Sequence, residues 1–165
     1  MTVATGGTFT DADISEVEAF VDGRLLHRGV LARLRRVDGV SIHPTIAGWD
    51  DLGRKERKAR RRETPGTWIG RSRLLRRSVP VHVRPPGPPG KEDALPGKLA
   101  AAGVEAPQAR ISFGQCIFDF RADTAAADIV RFSLAAMRAL GADPAGGRWE
   151  WRATVELDTS MPGGP

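Results

Sequence analysis

The clearest polar–apolar pattern in the chain lies near its C-terminal end. From Trp149 to Leu157 the odd positions carry Trp, Trp, Ala, Val and Leu, and the even ones Glu, Arg, Thr and Glu. Side chains of a strand alternate between its two faces, so this stretch reads as a strand with one buried face and one wet face. Upstream, Ile111–Phe120 is more apolar and less regular. That suits an inner strand, or one whose alternation shifts at a bulge near Gly114. Between the two, Asp123–Leu140 places Ala126, Ile129, Val130, Ser133, Ala136, Met137 and Leu140 on one side of a helix. Asp128, Arg131, Ala135 and Arg138 fall on the other side, as on an amphipathic helix lying on a sheet. Asp123 is the expected cap, and Gly141 accepts the left-handed backbone past the helix end. The expected core joins Trp149, Trp151, Val155, Ile117, Ile129 and Leu140.

The N-terminal part is harder to pattern. Thr5–Thr8 reads as a loose start, and Asp11–Val37 as helical, with Thr10 or Asp11 as cap. Its stripe is discontinuous. Ile14, Val17, Val21 and Leu25 share one face, whereas Leu26, Val30, Leu34 and Val37 fall about half a turn away. Gly23 and Gly29 bracket the change, which predicts a break or a helix gripped on both sides. Val40–Ile46 follows as a short strand interrupted by Pro44. Trp49–Glu63 reads as a helix with Asp50 as cap and almost no apolar surface. Thr67–Ile69 and Ser78–Val83 read as strands around a basic turn. Pro80 marks the second of them as an edge or a strand start, because proline lacks the amide donor. Arg84–Gly90 is a proline-rich loop with one PxxP spacing, and Pro96–Ala102 is a short helix.

These elements predict an α+β fold: a mainly antiparallel sheet of four or five strands, helices on one face and a projecting basic arm. The alternative is an α/β fold in which the C-terminal strand–helix–strand unit is parallel. The expected organisation is a single domain over residues 1–165. The basic arm 50–77 and the proline-rich loop 84–90 are inserted in it, and the tail 158–165 is flexible. At 165 residues with 41% apolar composition a real core can form. No run approaches the ~20 apolar residues of a membrane helix, and residues 1–10 do not read as a secretory signal, so the expectation is a cytoplasmic protein without membrane contact.

Charge adds the one functional lead. The net charge is +5, but it is segregated: Arg54–Arg84 holds twelve Arg or Lys against two Glu, so the remainder is acidic. Arg54, Lys55, Arg57, Lys58, Arg60, Arg61 and Arg62 crowd little more than two helical turns. Arg71, Arg73, Arg76 and Arg77 form a second cluster, and Trp68 lies between. Cations in such density neutralise closely spaced phosphates, arginine matches phosphate oxygens with a planar fork, and an exposed indole can stack on an unpaired base. These twelve residues are the candidate nucleic-acid-binding set. The competing expectations are an acidic protein surface as partner, in an oligomer or larger assembly, and an enzyme with a pocket that the sequence does not reveal.

Catalytic motifs are missing from the sequence. His27, His43 and His82 have no metal-ligand spacing, and Cys116 sits within an apolar strand as a buried thiol. Glu56-Arg57-Lys58 with Asp50 or Asp51 has the letters of a metal nuclease, but it lies in a basic helix. The expectation is therefore a non-catalytic polyanion binder with no metal and no cofactor.

Overall fold

The computed structural model describes residues 2–26, 35–71, 78–90, 92–112 and 114–157. Seven strands form one antiparallel sheet: β1 (Thr2–Thr10), β2 (Arg35–Pro44), β3 (Gly66–Gly70), β4 (Ser78–Arg84), β5 (Ala109–Ser112), β6 (Gln115–Arg121) and β7 (Arg148–Leu157). Their order is β1-β7-β2-β3-β4-β6-β5. The helices are α1 (Ser15–Phe20), continued by a π-helical turn over Val21–Leu26, then α2 (Arg54–Glu63), α3 (Leu95–Ala101) and α4 (Ala126–Ala139).

The class is α+β, but the expected sheet of four or five strands is too small. Two residue patterns account for the extra strands, and a third lengthens one already expected. β1 has only Val3 and Phe9 as large apolar residues, yet it pairs with β7 from Thr2↔Glu156 to Thr10↔Arg148. An edge strand of Thr and Gly has little apolar alternation to read. The supposed single strand Ile111–Phe120 is a hairpin that turns at Gly114, which has φ +81°. Glycine takes that conformation without steric cost. Val37 lies in β2, not at a helix end. The register of β2 against β7 shifts between Val37 and Val40, so both valines are buried three residues apart. The spacing of Val37 from Leu34 and Val30 predicts a helix end, and a strand only from Val40, but the bulge lets β2 run through Asp38 and Gly39 to include Val37.

The parallel alternative also fails. All neighbouring strands are antiparallel, and β2, β3 and β4 lie between β7 and β6, so α4 carries the chain across most of the sheet. Pro80 stands in an interior strand. It pairs in register with Asp119, while the β3–β4 ladder stops at Ile69↔Val81, one residue before it.

One face of the sheet is covered. Val40, Ile42, Ile69, Val79, Val81, Val83, Phe118, Trp149 and Trp151 meet Val17, Val21, Leu95, Leu99, Ile129 and Met137 of the helical layer in one core. Leu140 and Val155 pack at its margin. Ile117, expected in this core, is buried on the opposite face, because it stands in register with His82 and Arg110. None of the expected helix caps serves as one. The helix expected over Trp49–Glu63 is a 3-10 turn at Trp49–Asp51 followed by α2, which starts at Arg54 with Gly53, not Asp50, before it. Ala125 precedes α4 without a side-chain cap, and Asp123 pairs with Arg121 instead. Asp11 holds Arg138 and the indole N–H of Trp149, and Asp13 accepts the Ser15 amide at the start of α1. Gly141 is left-handed as expected, with φ +89°. The π turn falls at the start of the predicted break, and the stretch containing His27, Gly29, Val30 and Leu34 lies outside the described residues. No helix among the described residues is long and apolar enough to cross a membrane.

Candidate nucleic-acid interface

The second face of the sheet carries the candidate site. α2 stands on that side, at one end, against Arg84 and together with the 3-10 turn Trp49–Asp51, so helices do not occupy one face alone. Strand register defines two adjacent rows. One runs Arg152, Ser41, Trp68, His82, Ile117, Arg110 across six strands. The next joins the pairs Glu150–His43 and Gly66–Arg84, with the His43 ring lying over Gly66.

Trp68 is at the centre of the longer row and is 38% exposed. Its indole lies down on the sheet because its neighbours have no side chains. A Cβ at Gly39 would overlap the ring, and one at Gly70 would come within 2.8 Å of it. His82 holds the ring edge-on at 4.9 Å between centroids. Gly66 plays the same part for His43, whose Nδ1 would be 2.8 Å from an added Cβ. A hollow of about 270 Å³ adjoins the Trp68 ring, bordered by Gly39, Ser41, Arg152 and Thr154.

The charges on this face come from arginine. Burial, followed by Arg61 and Arg84, pushes His43 down to about 4, so its ring is neutral near pH 7. Burial also lowers His82. Arg152 pairs with Glu150 at 2.6 Å, and Arg110 with Asp119 at 2.9 Å. Arg61 and Arg84 form no ion pair among the described residues. Arg84 donates from Nη2 to the carbonyls of Arg61 and Thr64, each at 3.2 Å. These carbonyls close the C-terminal end of α2, where backbone acceptors lack helical partners and the helix dipole favours a cation.

That contact also explains how a helix without a single buried residue is held. Arg, Lys and Ala form helices readily. Arg57 donates from Nε to the Trp49 carbonyl at 3.0 Å. The guanidinium groups of Arg57 and Arg61 lie 5.3 and 4.7 Å from the Trp49 ring centre, within cation–π range. Thr64 donates to the Arg60 carbonyl, and the Gly87 amide to that of Arg62. Within the predicted arm, α2 is therefore tied to Trp49 near its start and to Arg84 and Gly87 at its end rather than projecting freely.

The predicted set divides accordingly. Arg57 and Arg61 point inward to Trp49 and help to build α2. Arg54, Lys55, Lys58, Arg60 and Arg62 are exposed and form no ion pair among the described residues. Trp68 stands on the open face, one row from the His43–Arg84 row that α2 overhangs. Arg71 is exposed just beyond β3, with its amide bonded to the Asp38 carbonyl. Arg73, Arg76 and Arg77 lie outside the described residues. Arg84, Arg110 and Arg152 were not in the set. Arg84 and Arg152 show in the sequence as polar positions of alternating strands, and Arg110 stands just before an apolar one, but only strand order brings them into common rows. Cys116 is buried on the covered face, and burial raises its thiol pKa. Among the described residues no three His, Cys, Asp or Glu side chains gather as metal ligands. Comparison with protein families, curated proteins and solved structures finds no match to this chain.

Proposed function

We propose that this protein binds single-stranded nucleic acid across the open face of its sheet. The observation that carries the reading is Trp68, an exposed indole seated on glycines in the middle of a strand row, beside a helix whose outward cations are unpaired. A base stacks on Trp68, and the backbone of the strand runs past Arg152 on one side and α2 on the other. Stacking tolerates any base, and arginine contacts to phosphate carry no sequence information, so this face gives affinity with little sequence preference. A duplex keeps its bases stacked inside and offers the indole no free ring, which favours the single strand.

Fluorescence anisotropy with labelled single-stranded and duplex DNA and RNA tests the proposal. Single strands bind best, and Trp68→Ala weakens them by roughly 5- to 150-fold, the range of about 1–3 kcal/mol per stacked base. Equal binding of duplex and single strand, unmoved by Trp68→Ala, would sink it. No binding at all would leave an acidic protein surface as the partner to pursue.

A further inference from the structure

A second feature adjoins α2 on the side of the proline-rich loop. A cavity of about 720 Å³ opens there, with Arg62, Glu63, Arg84, Pro88, Pro89 and Glu92 among its lining residues. That lies within the size range of small-molecule sites, roughly 300–1,000 Å³, and accommodates a nucleotide. Glu92 is the unusual member. It is 8% exposed, its Oε1 accepts the Gly90 amide at 2.8 Å, and no cation pairs with it among the described residues. A carboxylate has about four acceptor sites, so one amide leaves most of them unused. Buried polar atoms without hydrogen-bond partners cost free energy until donors meet them.

We infer that this cavity is a guanine-nucleotide subsite in which Glu92 accepts the N1–H and N2–H donors of the base, Pro88 and Pro89 cover its rings, and Arg62 meets the phosphate. Guanine alone among the bases presents two adjacent donors on its Watson–Crick edge, which match the two oxygens of a carboxylate. Cytosine and adenine offer one amino group there, beside an acceptor that the carboxylate repels. An arginine side chain of a peptide also has paired donors. Arg62 and Arg84 on the same wall oppose a cation, however, and attract a phosphate, and Glu63 is exposed enough to be screened by water. The nucleotide can be a base of a bound strand or free in solution. In the first case the subsite rests on the single-strand reading above and adds a base preference to a face that has none of its own.

Calorimetric titration with GMP, AMP, CMP, UMP and arginine amide addresses the cavity by itself. Anisotropy with (UG)6 and (UA)6 RNA addresses the strand. GMP is expected to bind more tightly than the other three by roughly tenfold or more, in line with a good bidentate base contact. Glu92→Gln abolishes that preference, because the amide turns one acceptor into a donor. Arg62→Ala, at an exposed position that leaves folding intact, weakens GMP but not the preference among bases. Preference for (UG)6 together with GMP selectivity assigns the subsite to the strand, and GMP selectivity alone assigns it to the free nucleotide. Tight binding of both RNAs with no preference for guanine in either assay overturns the subsite and leaves the single-strand reading standing. Binding of arginine amide in place of GMP overturns it in favour of a peptide. Failure of every ligand removes both proposals.

Discussion

Two pairs of tryptophans divide the molecule. Trp149 and Trp151 alternate along β7 on the covered face, where Trp149 is fully buried and Trp151 packs against Phe20 with ring centres 4.8 Å apart. Trp49 and Trp68 belong to the other side, one holding the arginines of α2 and the other lying on bare backbone. The same side chain has opposite uses. On the covered face large residues meet from both layers, and the indole contributes burial. On the open face Gly39 and Gly70 make room, and the indole keeps a free surface. What differs is the size of the neighbours, not the tryptophan. The Trp68 ring lies over two glycines and touches His82 only edge-on, so it buries less than either tryptophan of β7.

The largest effect separates the faces by stability. Trp151→Ala opens a cavity in the core and is expected to cost about 3–5 kcal/mol, whereas Trp68→Ala, which removes a ring already partly in water, costs about 1 kcal/mol. Urea unfolding of both variants measures the difference. Similar costs would erase the distinction between a packing face and a binding face.

The next effect belongs to His43, half-buried between α2 and the sheet. Its folded-state pKa of about 4 is below the unfolded value near 6.5. The unfolded chain therefore takes up a proton first as the pH falls. Stability is complete above pH 6.5 and is lost progressively down to about pH 4. The full shift is worth at most about 3 kcal/mol at 1.36 kcal/mol per unit, less some relief from solvent. His43→Gln should flatten the urea-derived stability profile between pH 6.5 and 4, and an unchanged slope would remove His43 as its source.

Gly39→Ala tests the seat of Trp68 directly. The new Cβ overlaps the indole, so the ring must leave the sheet, at a cost of about 1–3 kcal/mol. Single-strand affinity is expected to fall with it toward that of Trp68→Ala. Full affinity in Gly39→Ala would show that the flat-lying ring is not the stacking platform.

How much of this was legible follows from what each segment asks of its neighbours. β7 and α4 each carry one complete apolar face, and their sequences show it. Val37 falls at helical spacing from Val30 and Leu34 and so reads as a helix end, whereas it belongs to β2, whose register shifts between Val37 and Val40. β1 contributes mostly backbone to its pairing with β7 and so leaves little apolar trace. Of the candidate site, the density of cations in Arg54–Arg62 and the position of Trp68 are plain in the chain. The inward direction of Arg57 and Arg61 is not, because Trp49 draws them by a contact that charge counting ignores. Nor is the row Arg152–Ser41–Trp68–His82, whose members come from four strands and meet only through the order β7-β2-β3-β4.

The smallest effect distinguishes the two sides of α2 itself. Arg61 stacks on Trp49 and Lys58 is exposed, although both carry one charge on the same helix. Arg61→Ala removes a cation–π contact worth about 0.5–1 kcal/mol and should lower the urea midpoint. Lys58→Ala should leave stability within about 0.5 kcal/mol. Binding reverses the ranking where the strand passes the outer side of α2. For a single strand the logarithm of the affinity falls with that of salt by about 0.7 for every phosphate neutralised. Lys58→Ala, taking away one such contact, should reduce the slope by about that amount, and Lys55→Ala and Arg60→Ala serve as parallel tests at two further exposed positions. If none of the three changes the slope while Arg61→Ala does, the phosphates lie against the inner side of α2, and the path of the strand must be redrawn toward Arg84 and His43.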